Sequence, residues 1–211
     1  MEILDIILQI IIVVCAAGGL LLHSRILKGT YRKGMFLYYT NLSNMLVLLF
    51  YLLKLIGMPL GWKGILYSDG AQFTVTMSIL ITFVIYHFII DPSVRKMPGF
   101  DYAAFNTADN KIVHYIVPLL CFVRWVFFAF KEDLTFGSAF AWTIIPLIYV
   151  AFALIHANCG EHFEDTDSRY PYEFMDVDKL GKKRVAINIV FLWAACVLLG
   201  CIFIGVSMLF S

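Results

Sequence analysis

Six runs of mainly apolar residues set the terms for this chain, at roughly 3–22, 36–56, 71–90, 112–130, 137–155 and 185–209. A helix rises about 1.5 Å per residue, so about 20 such residues cross the ~30 Å hydrocarbon core of a bilayer. The runs predict an all-α integral membrane protein, a bundle of six transmembrane helices forming one domain over 1–211. Composition agrees. Hydrophobic residues are 61% of the chain and charged residues 15%, against about 45–50% and about 25% in ordinary globular domains. A net charge of +1 gives no basic field for nucleic acid, so nucleic acid is excluded as a partner. The first run has Glu2 and Asp5 at its start, no basic leader, no A-x-A site, and no small residue just before Cys15. It is expected to be retained as a span rather than removed as a signal peptide.

Loop charge orients the helices. Arg25, Lys28, Arg32 and Lys33 follow the first run, and Arg95, Lys96 and Lys111 lie between the third and fourth. Arg169, Lys179, Lys182, Lys183 and Arg184 precede the sixth. Only Lys54, Lys63 and Lys131 fall on the other side, with Arg124 inside a run. The positive-inside rule then puts the first, third and fifth loops in the cytoplasm and both termini outside. A bacterial cytoplasmic membrane is the expected location. The fifth loop, 157–184, is long and passes from acidic (Glu161, Glu164, Asp165, Asp167) through Tyr170-Pro-Tyr-Glu-Phe-Met-Asp to basic. Connections of that length are commonly functional or lie along the interface.

The acidic residues all lie outside the runs or at their edges. That disfavours a proton-coupled transporter and paired-carboxylate hydrolysis. Five cysteines without a C-x-x-C pair point to packing residues rather than a disulfide framework or zinc knuckle. Neither H-E-x-x-H nor H-x-x-x-H occurs, so no metal and no cofactor are expected. Histidine pairs at run ends, such as His87 and His156, keep a metal or haem protein open as an alternative. A non-catalytic membrane protein or transporter is another.

The polar residues inside the runs are more informative. Thr40, Asn41, Ser43 and Asn44 fall within five residues at the start of the second run. Hydrocarbon penalises unpaired polar groups, so such a cluster needs partners or a task. Thr40, Ser43 and Asn44 share one helical face at i, i+3 and i+4, with Asn41 turned about 100° away. His23, His87, His114, His156 and His162 all fall at the cytoplasmic side of this topology. Thr40 lies about 6 Å deep. His114 opens the fourth run, which crosses in the same direction, so the two residues are expected to be level. Pro118 withdraws a backbone hydrogen bond near His114 and can open the helix there.

A hydroxyl beside an imidazole is the minimal equipment for nucleophilic acyl transfer. Asn44 or Asn41 could supply an oxyanion donor, and Asn110 could orient the histidine. Ser43, one turn on, is a rival nucleophile. Hydrogen bonding between helices accounts for the same residue types, so both readings stand at this point. Arg124 is expected to snorkel outward toward Lys131, or else to hold a lipid carboxylate or headgroup. His87, His156 and Tyr170 are further candidates for substrate contact.

Three stretches, Tyr38-Tyr-Thr-Asn-Leu-Ser-Asn44, Asn110-Lys-Ile-Val-His-Tyr-Ile-Val-Pro118 and Tyr170-Pro-Tyr-Glu-Phe-Met-Asp-Val-Asp178, carry a resemblance over nearly the whole chain. The sequence resembles bacterial relatives of the androgen-induced and androgen-dependent integral membrane proteins. Eukaryotic members of that family are threonine hydrolases that cleave fatty acid esters of hydroxy fatty acids. The resemblance implies Thr40 as nucleophile, His114 as the second essential residue, and a lipid ester drawn from the bilayer as substrate.

Overall fold

The computed structural model describes residues 2–99, 101–160, 162 and 168–209, with the side chain of Ala104 left aside. The acidic residues Glu161, Glu164, Asp165 and Asp167 of the fifth loop lie outside the described residues. No strand occurs among the described residues. Six helices are long and apolar enough to cross a membrane: α1 (Glu2–His23), α2 (Tyr39–Gly57), α3 (Asp69–Arg95), α4 (Ala108–Phe128), α5 (Phe136–Asn158) and α6 (Val177–Leu209). The expected all-α, six-span architecture is what the chain forms. The outer surface is apolar, with Ile3, Val14, Phe127, Ile155, Phe191 and Leu198 among many exposed large side chains. In water that surface would be untenable.

Helices α1 to α4 close a ring in which α1 packs on α2 and α4, and α3 packs on α2 and α4. Its core holds Ile12, Ala16, Val47, Tyr51, Val75, Ile79, Val117 and Cys121. Helices α5 and α6 build a second core against α3, around Phe73, Met77, Trp125, Trp142, Tyr149 and Ile204. One close approach fixes the ring. Gly19 of α1 sits against Ile112 and Val113 of α4, so near that an added methyl would lie 2.7 Å from Ile112 Cγ2.

The spans extend furthest beyond their apolar runs in α3 and α6. Helix α3 continues past the expected end at 90 to Arg95, and α6 begins at Val177 rather than 185. The first turn of α6 is set off from the rest by Gly181, whose φ of 76° is open to glycine. Both α3 and α4 contain a π-helical turn, at Tyr86–Ile90 and Ile112–Ile116. Each turn ends two residues before a proline, Pro92 or Pro118. A proline cannot donate to the carbonyl four residues back and its ring collides with it. The π turn widens the helix there, and Val117 N–H bonds to Ile112 O, five residues back. Pro118 therefore shapes the backbone that carries His114.

Candidate functional site

Thr40 is the second residue of α2 and is nine-tenths buried. His114 is the middle residue of the α4 π turn and is also buried. Thr40 Oγ1 lies 3.2 Å from His114 Nε2. The other ring nitrogen, Nδ1, lies 2.9 Å from the backbone carbonyl oxygen of Asn110. A carbonyl can only accept, so the proton sits on Nδ1 and Nε2 is left as an acceptor. The Thr40 hydroxyl then donates to Nε2. This is the neutral tautomer that a general base requires.

Two neighbours hold the imidazole directly. Tyr86, from the π turn of α3, stacks on it with ring centroids 3.9 Å apart. Asn110 acts through its backbone, while its side-chain N–H donates to Phe105 O. One residue earlier, the Asp109 carboxylate accepts from His23 Nδ1 at 3.0 Å, and Arg32 donates to the other nitrogen of His23. The end of α1 is thereby pinned to the turn that presents the Asn110 carbonyl.

The other polar residues of α2 are tied to structure. Asn44 Nδ2 donates to Thr40 O and to Val113 O, which uses both of its hydrogens. Asn41 Nδ2 donates to Met35 O. Ser43 Oγ reaches Thr40 O and Thr82 Oγ1, both at 3.0 Å, and turns toward α3 rather than toward the histidine.

A narrow cleft of about 40 Å³ begins at Thr40. Its walls are Ile81, Ile85 and Ile90 of α3, Pro146, Tyr149 and Val150 of α5, Leu192 of α6, and Tyr172, Phe174 and Met175 of the fifth loop. Several of these are only half buried, so the apolar wall reaches the outside of the bundle. The sequence points to Tyr170 of this loop as a substrate contact, whereas the cleft is lined by Tyr172, two residues on, with Phe174 and Met175. The 168–176 segment is firmly held. Ser168 Oγ donates to Asp176, Lys179 N–H donates to the same carboxylate, and Asn188 Nδ2 donates to Phe174 O. Burial raises the Asp176 carboxyl, but the hydrogen bonds from Lys179 and Ser168 outweigh it and hold the group below the usual carboxylate range.

The remaining candidates lie elsewhere. Tyr170 is buried in the loop and does not line the cleft. His87 is exposed, faces the Tyr115 hydroxyl at 3.2 Å and stacks on Phe83. His156 sits near Phe152 on α5. No group of three or more metal-ligating side chains forms among the described residues.

Arg124 departs from the expectation of snorkelling. It is 1% exposed, with Nε 2.8 Å from one Asp5 oxygen and Nη2 donating to the other at 3.0 Å. It also donates to Gln72 Oε1, which accepts from Lys54 Nζ as well. The carboxylate from the start of α1 reaches across the ring, and that partner is why the guanidinium stays inside. This network lies at the opposite end of α4 from His114, so Arg124 is committed away from Thr40.

Searches against family models, characterised proteins and solved structures found no match for this chain.

Proposed function

We propose that the protein is a membrane-embedded hydrolase of lipid esters in which Thr40 is the nucleophile and His114 the base. One observation carries the reading: the Thr40 hydroxyl donates to an imidazole nitrogen whose partner nitrogen is fixed on a backbone carbonyl. The cleft at the nucleophile has apolar walls that reach the outside of the bundle, which suits entry of an acyl chain from the bilayer; at about 40 Å³ it must widen to hold one. In the acylation step His114 Nε2 takes the Thr40 proton as Oγ1 bonds to the ester carbonyl carbon. The carbonyl π pair moves to oxygen, the tetrahedral intermediate collapses, and the alcohol leaves with the proton from His114. Water repeats the sequence on the acyl-threonine and releases the fatty acid. The site lies at the end of the bundle bearing the basic loops, which we assign to the cytoplasmic interface. We also propose kinship with the androgen-induced and androgen-dependent membrane proteins, on the three stretches quoted above.

The test is hydrolysis of long-chain acyl esters by protein in nanodiscs, together with labelling by a fluorophosphonate. Wild type and Ser43→Ala are expected to hydrolyse and to label, and Thr40→Ala and His114→Ala to do neither. A Thr40→Ala protein that hydrolyses at the wild-type rate removes the proposal. A second reading has its own support, since Ser43–Thr82 and Asn44–Val113 are bonds between helices and Thr40–His114 could be one more. It predicts a wild-type protein inert toward esters.

A further inference from the structure

The acyl-transfer reading requires a donor for the oxyanion, and the side chains around Thr40 are nearly all spoken for. Asn44 spends both N–H bonds on backbone carbonyls, and Asn41 donates to Met35 O. Around the cleft, the Tyr39 phenol donates to Ser78 O and the Tyr149 phenol to Leu37 O, each at 3.0 Å. Thr82 is paired with Ser43. Tyr172, which lines the cleft with Thr40, carries the remaining hydroxyl, and its phenol lies among the Thr40 and Tyr149 side chains.

Resting on the hydrolase reading, we propose that the Tyr172 hydroxyl is the oxyanion donor of this site, delivered by the fifth loop. The ring is placed from three sides. It stacks on Phe174 at 5.5 Å and meets Tyr149 and Tyr38 at 6.3 and 6.5 Å. The segment around it is clasped at Asp176 and Asn188, so the donor is set before substrate arrives, which is what makes such a group effective.

The phenol also has the right chemistry. Burial pushes it up to about 12, against the Tyr149 and Thr40 side chains and the Tyr39 and Thr40 backbone N–H groups, which pull it down. It keeps its proton at neutral pH and can donate. Those two N–H groups are the first of α2, where a helix has no preceding carbonyl for them and carries partial positive charge. During attack the Thr40 proton goes to His114, the carbonyl pair goes to oxygen, and Tyr172 shares its proton with that oxygen without releasing it.

The experiment compares wild type, Tyr172→Phe and Thr40→Ala in nanodiscs, with p-nitrophenyl decanoate and its thionoester as probes. Tyr172→Phe keeps the ring and its packing, so its melting temperature is expected to match wild type. Its kcat is expected to fall about 10²–10³-fold, with KM within threefold. Sulfur is a poor acceptor, so wild type is expected to prefer the oxo ester far beyond the solution ratio, and Tyr172→Phe to lose most of that preference. A Tyr172→Phe kcat within threefold of wild type, while Thr40→Ala is inactive, overturns the Tyr172 proposal and leaves the hydrolase reading standing. An oxo-to-thiono ratio in wild type equal to that in solution overturns it too, without any variant. Thr40→Ala turning over like wild type sinks the hydrolase reading instead.

Discussion

Replacing Gly19 with alanine puts a methyl 2.7 Å from Ile112 Cγ2 and 3.1 Å from Val113 Cγ1. Carbon atoms rest at about 3.5–4.0 Å, so α1 and the α4 π turn must part by roughly 0.8 Å or more. Ile112 is stiff at Cβ and cannot swing its methyl aside cheaply. The turn that moves is the one carrying His114, whose bond to Thr40 is 3.2 Å long. A displacement of that size takes it to about 4 Å, beyond hydrogen-bond reach. Overpacking costs about 1–3 kcal/mol, and alanine returns about 1 kcal/mol in helix propensity. Net stability is therefore expected to fall by at most about 2 kcal/mol, whereas a 1 Å misplacement costs about 10²-fold in rate. Ester hydrolysis and thermal melting in the same nanodiscs separate the two effects. Adding Ile112→Ala, which removes the nearer methyl, is expected to restore part of the rate. A Gly19→Ala protein with full activity would refute the claim that α1 positions His114.

Three further outcomes are expected. Arg124→Leu leaves Asp5 facing the ring without its cation and should cost about 3–5 kcal/mol, with most of it regained in Asp5→Asn/Arg124→Leu; chemical denaturation in detergent reads both, and an unchanged Arg124→Leu midpoint contradicts the pairing. Pro118→Ala returns a donor for the His114 carbonyl and allows the π turn to close into regular helix, so activity should drop at least tenfold while the melting temperature holds; an unaltered rate means the turn does not set the histidine. Asp176→Asn should loosen the clasp on Tyr172 at a cost of about 1.5–3 kcal/mol, the range for hydrogen bonds to a charged group. Because the native carboxyl lies below its ordinary range, its contribution is complete above the unfolded pKa and disappears as pH falls through the lower folded value. The wild-type advantage over Asp176→Asn should therefore persist at pH 7 and vanish only in strong acid, as melting curves across pH would record.

Hydropathy made the six helices legible because lipid imposes a single length on each. It could not place the start of α6, since Val177–Leu180 is a polar turn set off by Gly181. It also could not place the end of α3, which runs on through Asp91 and Arg95, a pair joined by an ion pair one turn apart. Depth was readable for Thr40 and His114, but contact was not, because the two are 74 residues apart and meet only through the packing of the ring. Arg124 and Asp5 are 119 residues apart, and nothing local in either hints at the other. The asparagines illustrate a different limit. Sequence gives a donor's position on a helix, whereas the carbonyls that claim it, such as Met35 O and Val113 O, depend on neighbouring backbone. Pro118 was a usable signal for the π turn, and Pro92 carries the same signal in α3.

Whether Thr40 is catalytic or merely joins two helices can be decided from energetics as well as from assay. In hydrocarbon no hydrophobic force draws helices together, and a hydrogen bond between them is worth only about 0.6 kcal/mol on average, up to about 1.7. The α1–α4 ring has such bonds at both ends. Asp5, Gln72 and Lys54 gather around Arg124 at one. Tyr39–Ser78, Ser43–Thr82, Asn44–Val113 and His23–Asp109 join the same helices at the other. Against that background the Thr40–His114 bond is redundant as an adhesive. Thr40→Ala should lower stability by no more than about 1.7 kcal/mol, and Thr40→Val, which keeps the shape, by a similar amount. A purely adhesive Thr40 has no further consequence. A nucleophile has one that stability cannot mimic: loss of acyl-enzyme and of phosphonate labelling in a protein that still melts as a folded bundle. Thr40→Ser separates the roles further, since serine supplies the hydroxyl without the methyl. It should keep phosphonate labelling and measurable turnover, and a Thr40→Ser protein as inert as Thr40→Ala would speak against attack by this hydroxyl.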